Sequence, residues 1–146
     1  MDPMALGWKP HQLPGFMGLA GPLWSRREDG DRAHWAHWAN WAYGLQVQAH
    51  HLNPAGVVHG GALLTLMDHA LSTIAWQAAE RQPCLSLQLD SHFLASVGEG
   101  GFVEVRGRVT RRTRSLIFLQ GLATQGGAPV LQAQAIMKIV EQRSTA

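Results

Sequence analysis

One carboxylate, Asp68, lies in the middle of the longest apolar stretch of the sequence, residues 60–79. A carboxylate among leucine, isoleucine and methionine side chains is costly to bury unless it is paired or hydrogen-bonded. In such a setting a carboxylate can serve as a general base or as a nucleophile. A structural interpretation stays open for this helix taken alone, because hydroxyl groups such as those of Thr65 or Ser72 could satisfy the carboxylate.

Two glycines, Gly60 and Gly61, follow His59 at the start of the same stretch. Glycines at a helix N-terminus leave backbone N–H groups accessible, and these groups stabilise a carbonyl oxygen that gains negative charge. Gly61 and Asp68 are separated by roughly 10 Å along a helix axis, so one carbonyl group cannot contact both. We therefore expect two chains to pair with antiparallel central helices, so that Asp68 of one chain faces the glycine turn of the other.

The pattern of apolar residues predicts the elements that position these groups. A helix at residues 61–79 that is apolar nearly all round must be covered on most sides, as a curved sheet would do. The sequence therefore predicts an α+β domain with the order β-β-α-β-β-β-β, one long helix against one antiparallel sheet. The predicted strands lie at about residues 18–27, 38–50, 84–95, 102–112, 115–124 and 130–141.

Length and composition indicate one globular domain with an unusually low charge. The 146 residues are 46% hydrophobic and 15% charged, which favours an apolar surface buried against a partner. Residues 1–15 contain three prolines without a clear period, so we expect a flexible N-terminal arm before a single domain at residues 16–146. The lone Cys84 and the lack of a signal-like run favour a cytoplasmic setting, and the charge within the apolar stretch argues against a membrane span.

Basic residues are concentrated in the second half of the chain. Five arginines fall between Arg106 and Arg114. The forked donors of arginine suit a phosphorylated ligand, and a solvated turn is the plainer alternative. A nucleic-acid site is disfavoured because aromatic interleaving and known binding motifs are absent.

A short repeat at residues 34–43 reads HWAHWANWAY. We expect its tryptophans to pack across a sheet or a subunit contact, with ligand stacking as the alternative. The histidine pairs His34 with His37 and His50 with His51 do not complete a set of metal ligands, so we expect neither a catalytic metal nor another cofactor.

The run from Asn53 to Gly61, NPAGVVHGG, followed by Leu64 and Asp68, resembles the hotdog-fold thioesterases of the phenylacetyl-CoA thioesterase (PaaI-like) type. The resemblance extends from about residue 18 to residue 140 and includes the GPLW run and the basic RRTRS segment. It implies a hotdog fold, in which a sheet wraps one long central helix. It also implies active sites between the subunits of a homodimer, which often assembles further into a homotetramer.

The same resemblance implies hydrolysis of an acyl-coenzyme A thioester and gives roles to individual residues. In that family the acid nine positions after the HGG histidine is the general base or nucleophile, and Asp68 stands there. The N–H group of Gly61 polarises the thioester carbonyl, with Asn53 and His59 assisting. A strand hydroxyl helps some members to hold the attacking water, and Ser86 stands at the matching place.

Substrate contacts are expected from Gly60 in the turn and from Phe93, which could line an acyl pocket. The basic segment would lie where the coenzyme A nucleotide and its phosphates bind. It contributes Arg111, Arg112, Arg114 and Ser115.

Two other classes of hotdog protein stay in view. A dehydratase or acyl-transfer enzyme is expected to pair its acid with a histidine in a different signature, which the sequence lacks. A non-catalytic acyl-CoA-binding protein would keep the arginines and lose nothing if Asp68 were removed. The sequence leaves open whether Asp68 activates water or forms an acyl-enzyme anhydride.

Overall fold

The computed structural model describes residues 1–28 and 38–141. Within these ranges two helices and seven strands follow each other, and 3₁₀ turns occur at Pro3–Leu6 and Ala49–His51. The elements are β1 (Lys9–Pro10), α1 (Phe16–Ala20), β2 (Leu23–Arg27), β3 (Trp41–Gln46), α2 (Gly60–Ala78), β4 (Cys84–Phe93), β5 (Phe102–Arg112), β6 (Leu116–Gln125) and β7 (Ala128–Ile139).

The strands form one antiparallel sheet in the order β1-β2-β3-β5-β6-β7-β4. Helix α2 lies across the inner face of the sheet and contacts β3 to β7. This arrangement confirms the predicted α+β class and the hotdog fold, with the short β1 and α1 added. The first predicted strand, at about residues 18–27, begins later than expected, because α1 occupies residues 18–20. Because the chain crosses the sheet through α2, β4 lies at the edge of the sheet beside β7. In the part of the chain that the structure describes, no helix is long and apolar enough to span a membrane.

Helix α2 packs closely on the sheet where two glycines lie opposite each other in the strands beneath it. Gly107 of β5 pairs with Gly121 of β6. A Cβ atom at Gly107 would lie 2.6 Å from Leu71 Cδ2, and one at Gly121 would lie 2.5 Å from Met67 Sδ. Leu71 and Met67 are completely buried, so these glycines provide the space into which the helix fits.

Both ends of α2 are fixed by side chains. His59 caps the N-terminus, because its Nδ1 accepts the N–H group of Gly61 at 2.8 Å. At the other end the guanidinium of Arg112 donates to the carbonyl oxygen of Ala78. Such contacts satisfy backbone groups that have no partner within a helix.

The first residues of the chain contact the sheet. Trp8 is 1% exposed and packs edge-on against Phe102, with 5.1 Å between the ring centroids. Lys9 and Pro10 pair with β2, and the guanidinium of Arg26 lies 4.4 Å from the centre of the Trp8 ring. Contacts alone do not measure motion, so the division into a flexible arm at residues 1–15 and one domain at residues 16–146 stays a prediction.

The tryptophan repeat is described only in part. Residues 34–37, which include His34 and His37, lie outside the described residues. Trp41, on β3, is half-buried and packs against the main core, as expected for a tryptophan that packs across the sheet.

Candidate active site

The carboxylate of Asp68 has a hydroxyl partner on the sheet. Ser86 of β4 donates its hydroxyl to Asp68 Oδ1 at 2.6 Å, a distance typical of a charge-assisted hydrogen bond. Thr65 does not satisfy this carboxylate, because its hydroxyl donates to the carbonyl oxygen of Gly61 at 2.8 Å. The structure therefore brings together two of the predicted catalytic residues on neighbouring elements.

A β-bulge in β4 decides which side chains of that strand face α2. Ser86 pairs with Met137 of β7 and Gln88 pairs with the next residue, Ile136, so Leu87 is one residue in excess. In a regular strand, residues an odd number of positions apart point to opposite faces. The extra residue reverses this alternation, so Ser86 and Phe93 both face the helix.

The glycine turn presents one free N–H group, and it belongs to Gly60. The N–H group of Gly61, which we expected to polarise the carbonyl, is bonded to His59 Nδ1. Those of Ala62 and Leu63 are bonded to the carbonyl oxygen of His59 at 2.9 and 3.3 Å. The amide of Gly60 has no hydrogen-bond partner within residues 1–28 and 38–141. It is therefore the donor in this turn that no protein group occupies.

Two other predicted residues lie at the same turn. The side-chain oxygen of Asn53 accepts the N–H groups of Ala55 and Val57 at 3.0 and 3.2 Å, so it holds the loop that leads into the helix. The ring of Phe93 lies over Gly60, since a Cβ atom placed on that glycine would be 3.2 Å from Phe93 Cε1. Phe93 is 53% exposed and covers the turn rather than the carboxylate.

The predicted site residues thus form two groups within one chain. Asn53, His59, the two glycines and Phe93 surround the N-terminus of α2, and Asp68 and Ser86 lie two turns further along. The helical rise places Gly61 and Asp68 roughly 10 Å apart along the axis. A single chain does not bring the free N–H group and the carboxylate to one carbonyl.

The basic segment lies at the opposite end of α2 from the glycine turn. Arg112 contacts the helix C-terminus and Glu80, at 3.2 Å, and the carbonyl oxygen of Ser115 accepts the N–H group of Ile139 at 2.8 Å. Arg111 and Arg114 are exposed, and their side chains have no hydrogen-bond or ion-pair partner among the described residues. These two arginines are available to an anionic ligand.

Besides Arg112, two of the five clustered arginines serve the fold. Arg106 is 3% exposed and forms an ion pair with Glu28, with 2.6 Å between Nε and Oε1. Arg108 donates to the side-chain oxygen of Gln120 at 2.9 Å. Both are on β5 and are engaged with protein groups.

A cavity of about 380 Å³ opens beside Asp68. One of its walls comes from α1, through Phe16 and Met17, which the sequence did not mark as site residues. The remaining lining comes from α2 and from Leu89 of β4. The cavity holds the carboxylate and several apolar side chains, as expected of a small-molecule site.

A buried histidine pair lies next to the cavity. His69 Nε2 and His11 Nε2 are 3.0 Å apart, and both rings pack against Tyr43. The pKa of His69 is lowered to about 4, chiefly by burial and also by the neighbouring His11, while Asp68 acts in the opposite direction. Burial also lowers the pKa of His11. One neutral ring therefore donates to the other.

The histidine pair was missed because its partners are 58 residues apart and one of them lies in the predicted arm. The only local signal was a second polar residue, directly after Asp68, in an apolar helix. No group of three or more His, Cys, Asp or Glu side chains that could hold a metal occurs in residues 1–28 and 38–141. His50 and His51 instead donate to the carbonyl oxygens of Gly21 and Ala20.

Comparison with known proteins gives a family match and several similar structures. The sequence profile of the thioesterase superfamily matches residues 55–130, just over half of the chain. No curated protein matches the chain. A protein from Thermus thermophilus is 21% identical, with a TM-score of 0.73, covering 88% of this chain and 100% of the other.

Two further similar structures come from Pseudomonas aeruginosa and Streptococcus pneumoniae. The first, a conserved protein, is 25% identical, with a TM-score of 0.66, covering 68% of this chain and 80% of the other. The second is a hypothetical thioesterase that was solved with coenzyme A. It is 23% identical, with a TM-score of 0.64, and the match covers 71% of this chain and 83% of the other.

The histidine pair predicts a pH-dependent stability. An unfolded histidine titrates near 6.5, so the low folded pKa values stabilise the fold fully above about pH 6.5, and this contribution is lost as the pH falls towards 4. His69→Gln keeps a polar amide but does not titrate there. Urea unfolding between pH 7.5 and 4.5 should show the wild type losing about 1–2 kcal/mol more than this variant, less than full linkage because the site is partly open to solvent.

The control for this prediction is His92→Gln, which changes an exposed histidine of β4. It should follow the wild-type curve. Parallel curves for the wild type and His69→Gln would show that the buried pair does not set the pH dependence.

Proposed function

Because the chain belongs to the thioesterase superfamily, we propose that it hydrolyses an acyl-coenzyme A thioester to the free acid and coenzyme A. The main observation in support of this proposal is that the Asp68 carboxylate is hydrogen-bonded to Ser86 beside a cavity with apolar side chains in its lining. A carboxylate fixed in this way can act on a carbonyl held in the cavity. The coenzyme A in the structure of the Streptococcus pneumoniae protein supports this class of ligand.

The geometry supports a reaction in which water is the nucleophile. Ser86 occupies Oδ1 of Asp68, and Oδ2 takes a proton from a water molecule as that water attacks the thioester carbon. The oxygen of the tetrahedral intermediate accepts the N–H group of Gly60 from a second copy of the chain, and that of Gly61 of the same copy if its His59 turns away. Collapse of the intermediate breaks the carbon–sulfur bond, and the departing thiolate takes the proton from Asp68. Direct attack by the carboxylate to form an anhydride is the alternative route.

A homodimer would complete the site. Antiparallel central helices would bring the glycine turn of one chain to Asp68 of the other, which a single helix cannot do. The exposed edge strand β4 suits this contact, since Leu85 and Leu87 are each 58% exposed there. The basic segment lies at the far end of α2 from the glycine turn of its own chain, so it too would serve a site shared with the partner.

The first test of this function is the Asp68→Asn substitution. Loss of the proton acceptor should reduce kcat roughly 10²–10⁴-fold while fold and assembly are kept. The measurement is thiol release from a panel of acyl-CoA thioesters. Asp90→Asn, at an exposed carboxylate of β4 that accepts a hydrogen bond from Gln88, is the matched control and should leave turnover unchanged. Near-normal turnover by Asp68→Asn would contradict the assignment, and binding without hydrolysis by the wild type would favour an acyl-CoA-binding protein.

The second test separates the arginines of the basic segment. Replacing Arg111 and Arg114 by Ala should raise KM for acyl-CoA roughly tenfold with little change in kcat, because charge-assisted contacts to phosphate are lost. A short acyl thioester without the nucleotide should be hydrolysed equally by variant and wild type. Arg112→Ala should instead lower the unfolding temperature, because its guanidinium caps α2. Equal losses on both substrates would place the nucleotide elsewhere.

The third test concerns the shared site and mixes two inactive variants. Asp68→Asn and Gly61→Val are each expected to fold and to lack activity. A mixed dimer contains one site with an intact Asp68 from one chain and an intact glycine turn from the other. Random exchange makes about half of the dimers mixed, so about one quarter of the wild-type activity should return. No recovery after subunit exchange has been verified by mass spectrometry would mean that both groups act within one chain.

A further inference from the structure

Helix α1 is held over the cavity at Asp68 by side chains that the proposed reaction does not use. Before the helix, His11 bonds to His69 of α2, the residue next to Asp68 in the chain. After the helix, His51 donates to the carbonyl oxygen of Ala20 at 2.6 Å, and His50 donates to that of Gly21 at 2.7 Å. The last carbonyl groups of a helix need such partners.

Each of these imidazoles is held in a defined state by its contacts. His51 Nδ1 accepts the N–H group of Gln48 at 2.9 Å, so the Nε2 atom that meets Ala20 must carry the proton. His11 and His69 share one hydrogen between two nitrogen atoms, which requires at least one neutral ring. The low pKa of His69, about 4, is consistent with a neutral pair near pH 7.

The position of α1 is also fixed by close packing. Leu13 and Met17 pack against the main hydrophobic core. A Cβ atom at Gly18 would lie 2.6 Å from the carbonyl oxygen of Leu13, so the chain before the helix folds tightly back onto it. The side chain of Phe16, by contrast, is 66% exposed although it lines the cavity. Phe16 is therefore the residue of α1 that a ligand in the cavity would meet with the least protein rearrangement.

We propose that α1 is the wall of the acyl pocket, that Phe16 and Met17 limit which acyl groups reach Asp68, and that His11 and His69 position this wall. The inference rests on the proposed function, since it assigns the cavity beside Asp68 to the acyl group. The cavity of about 380 Å³ is at the small end of the range for small-molecule sites, which is roughly 300–1,000 Å³. We accordingly expect this wall to favour acyl-CoA thioesters with small apolar acyl groups over long-chain ones.

The chemistry of the lining agrees with such a group. Leu64 and Leu89 provide further apolar surface, and the polar part of the lining comes from Thr65, Asp68, His69 and Ser72. A small apolar acyl group would place its carbonyl end near the carboxylate and its apolar end against α1. A long chain would have to displace Phe16 or Met17.

The test measures binding of thioether analogues of acyl-CoA, which cannot be hydrolysed, by titration calorimetry. Acetyl, phenylacetyl and dodecanoyl analogues are compared on the wild type, Phe16→Ala and Met17→Ala. The wild type should bind the small analogues more tightly than the dodecanoyl one, and each variant should reduce this ratio of Kd values at least tenfold. Leu19→Ala is the control, because Leu19 is 78% exposed on the same helix and does not line this cavity.

A second comparison tests the positioning role of the histidine pair. His11→Ala should change the ratio of Kd values in the same direction as Phe16→Ala. His11→Gln, whose amide lies near the position of the ring Nε2, should restore the wild-type ratio. A ratio that is unchanged in His11→Ala, or changed equally in both variants, would overturn this role.

The outcomes distinguish a failure of the proposed role of α1 from a failure of the proposed hydrolysis. Binding with the expected size preference but without hydrolysis of the corresponding thioesters would refute the proposed function and keep the pocket. Two results would overturn the role of α1 as the wall while hydrolysis is retained. In the first, Phe16→Ala and Met17→Ala leave the ratio of Kd values within twofold of the wild-type ratio. In the second, Leu19→Ala changes this ratio as much as Phe16→Ala and Met17→Ala do. Absence of binding by every analogue would refute both.

Discussion

The close contact between α2 and the sheet is the constraint on which the candidate site depends. Gly107 and Gly121 face each other beneath the helix, and the side chains of Leu71 and Met67 fill the space that they leave. Interiors packed at this density do not let a helix turn or slide by small steps. The direction in which Asp68 points is therefore determined by two residues that carry no functional group.

Because α2 is held in this way, the number of residues between two of its functional groups determines the distance between them. The glycine turn stands at one end of α2, Asp68 lies near its middle, and Arg112 contacts its last turn. The helix joins the three features and also keeps them apart, which favours a reaction site built from two copies of the chain. The N-terminal segment adds a wall near the middle feature, where it contacts α2 through His69.

The fold could be predicted from the sequence because its signals are local and periodic. The apolar helix and the alternating strands indicated the order of the main elements, without β1 and α1. The resemblance to hotdog thioesterases indicated Ser86 as a hydroxyl of the site, and this hydroxyl is bonded to Asp68. Contacts between distant side chains have no local signature, so the pairing of His11 with His69 and the buried ion pair of Arg106 were not foreseen. The choice between the two glycine N–H groups also depends on one side-chain rotamer, which no sequence pattern records.

The bulge in β4 makes the site depend on the number of residues in that strand. Leu87 points to solvent and contributes no group to the chemistry, yet its presence places Ser86 and Phe93 on the same face. Substitution of Leu87 by many residues preserves this arrangement, whereas its deletion would turn one part of the strand over relative to the other. Related chains could thus carry another residue suited to the proposed dimer contact at this position, whereas insertions and deletions there are excluded. The number of residues in β4 is therefore a stricter requirement of the site than the identity of the residue at the bulge.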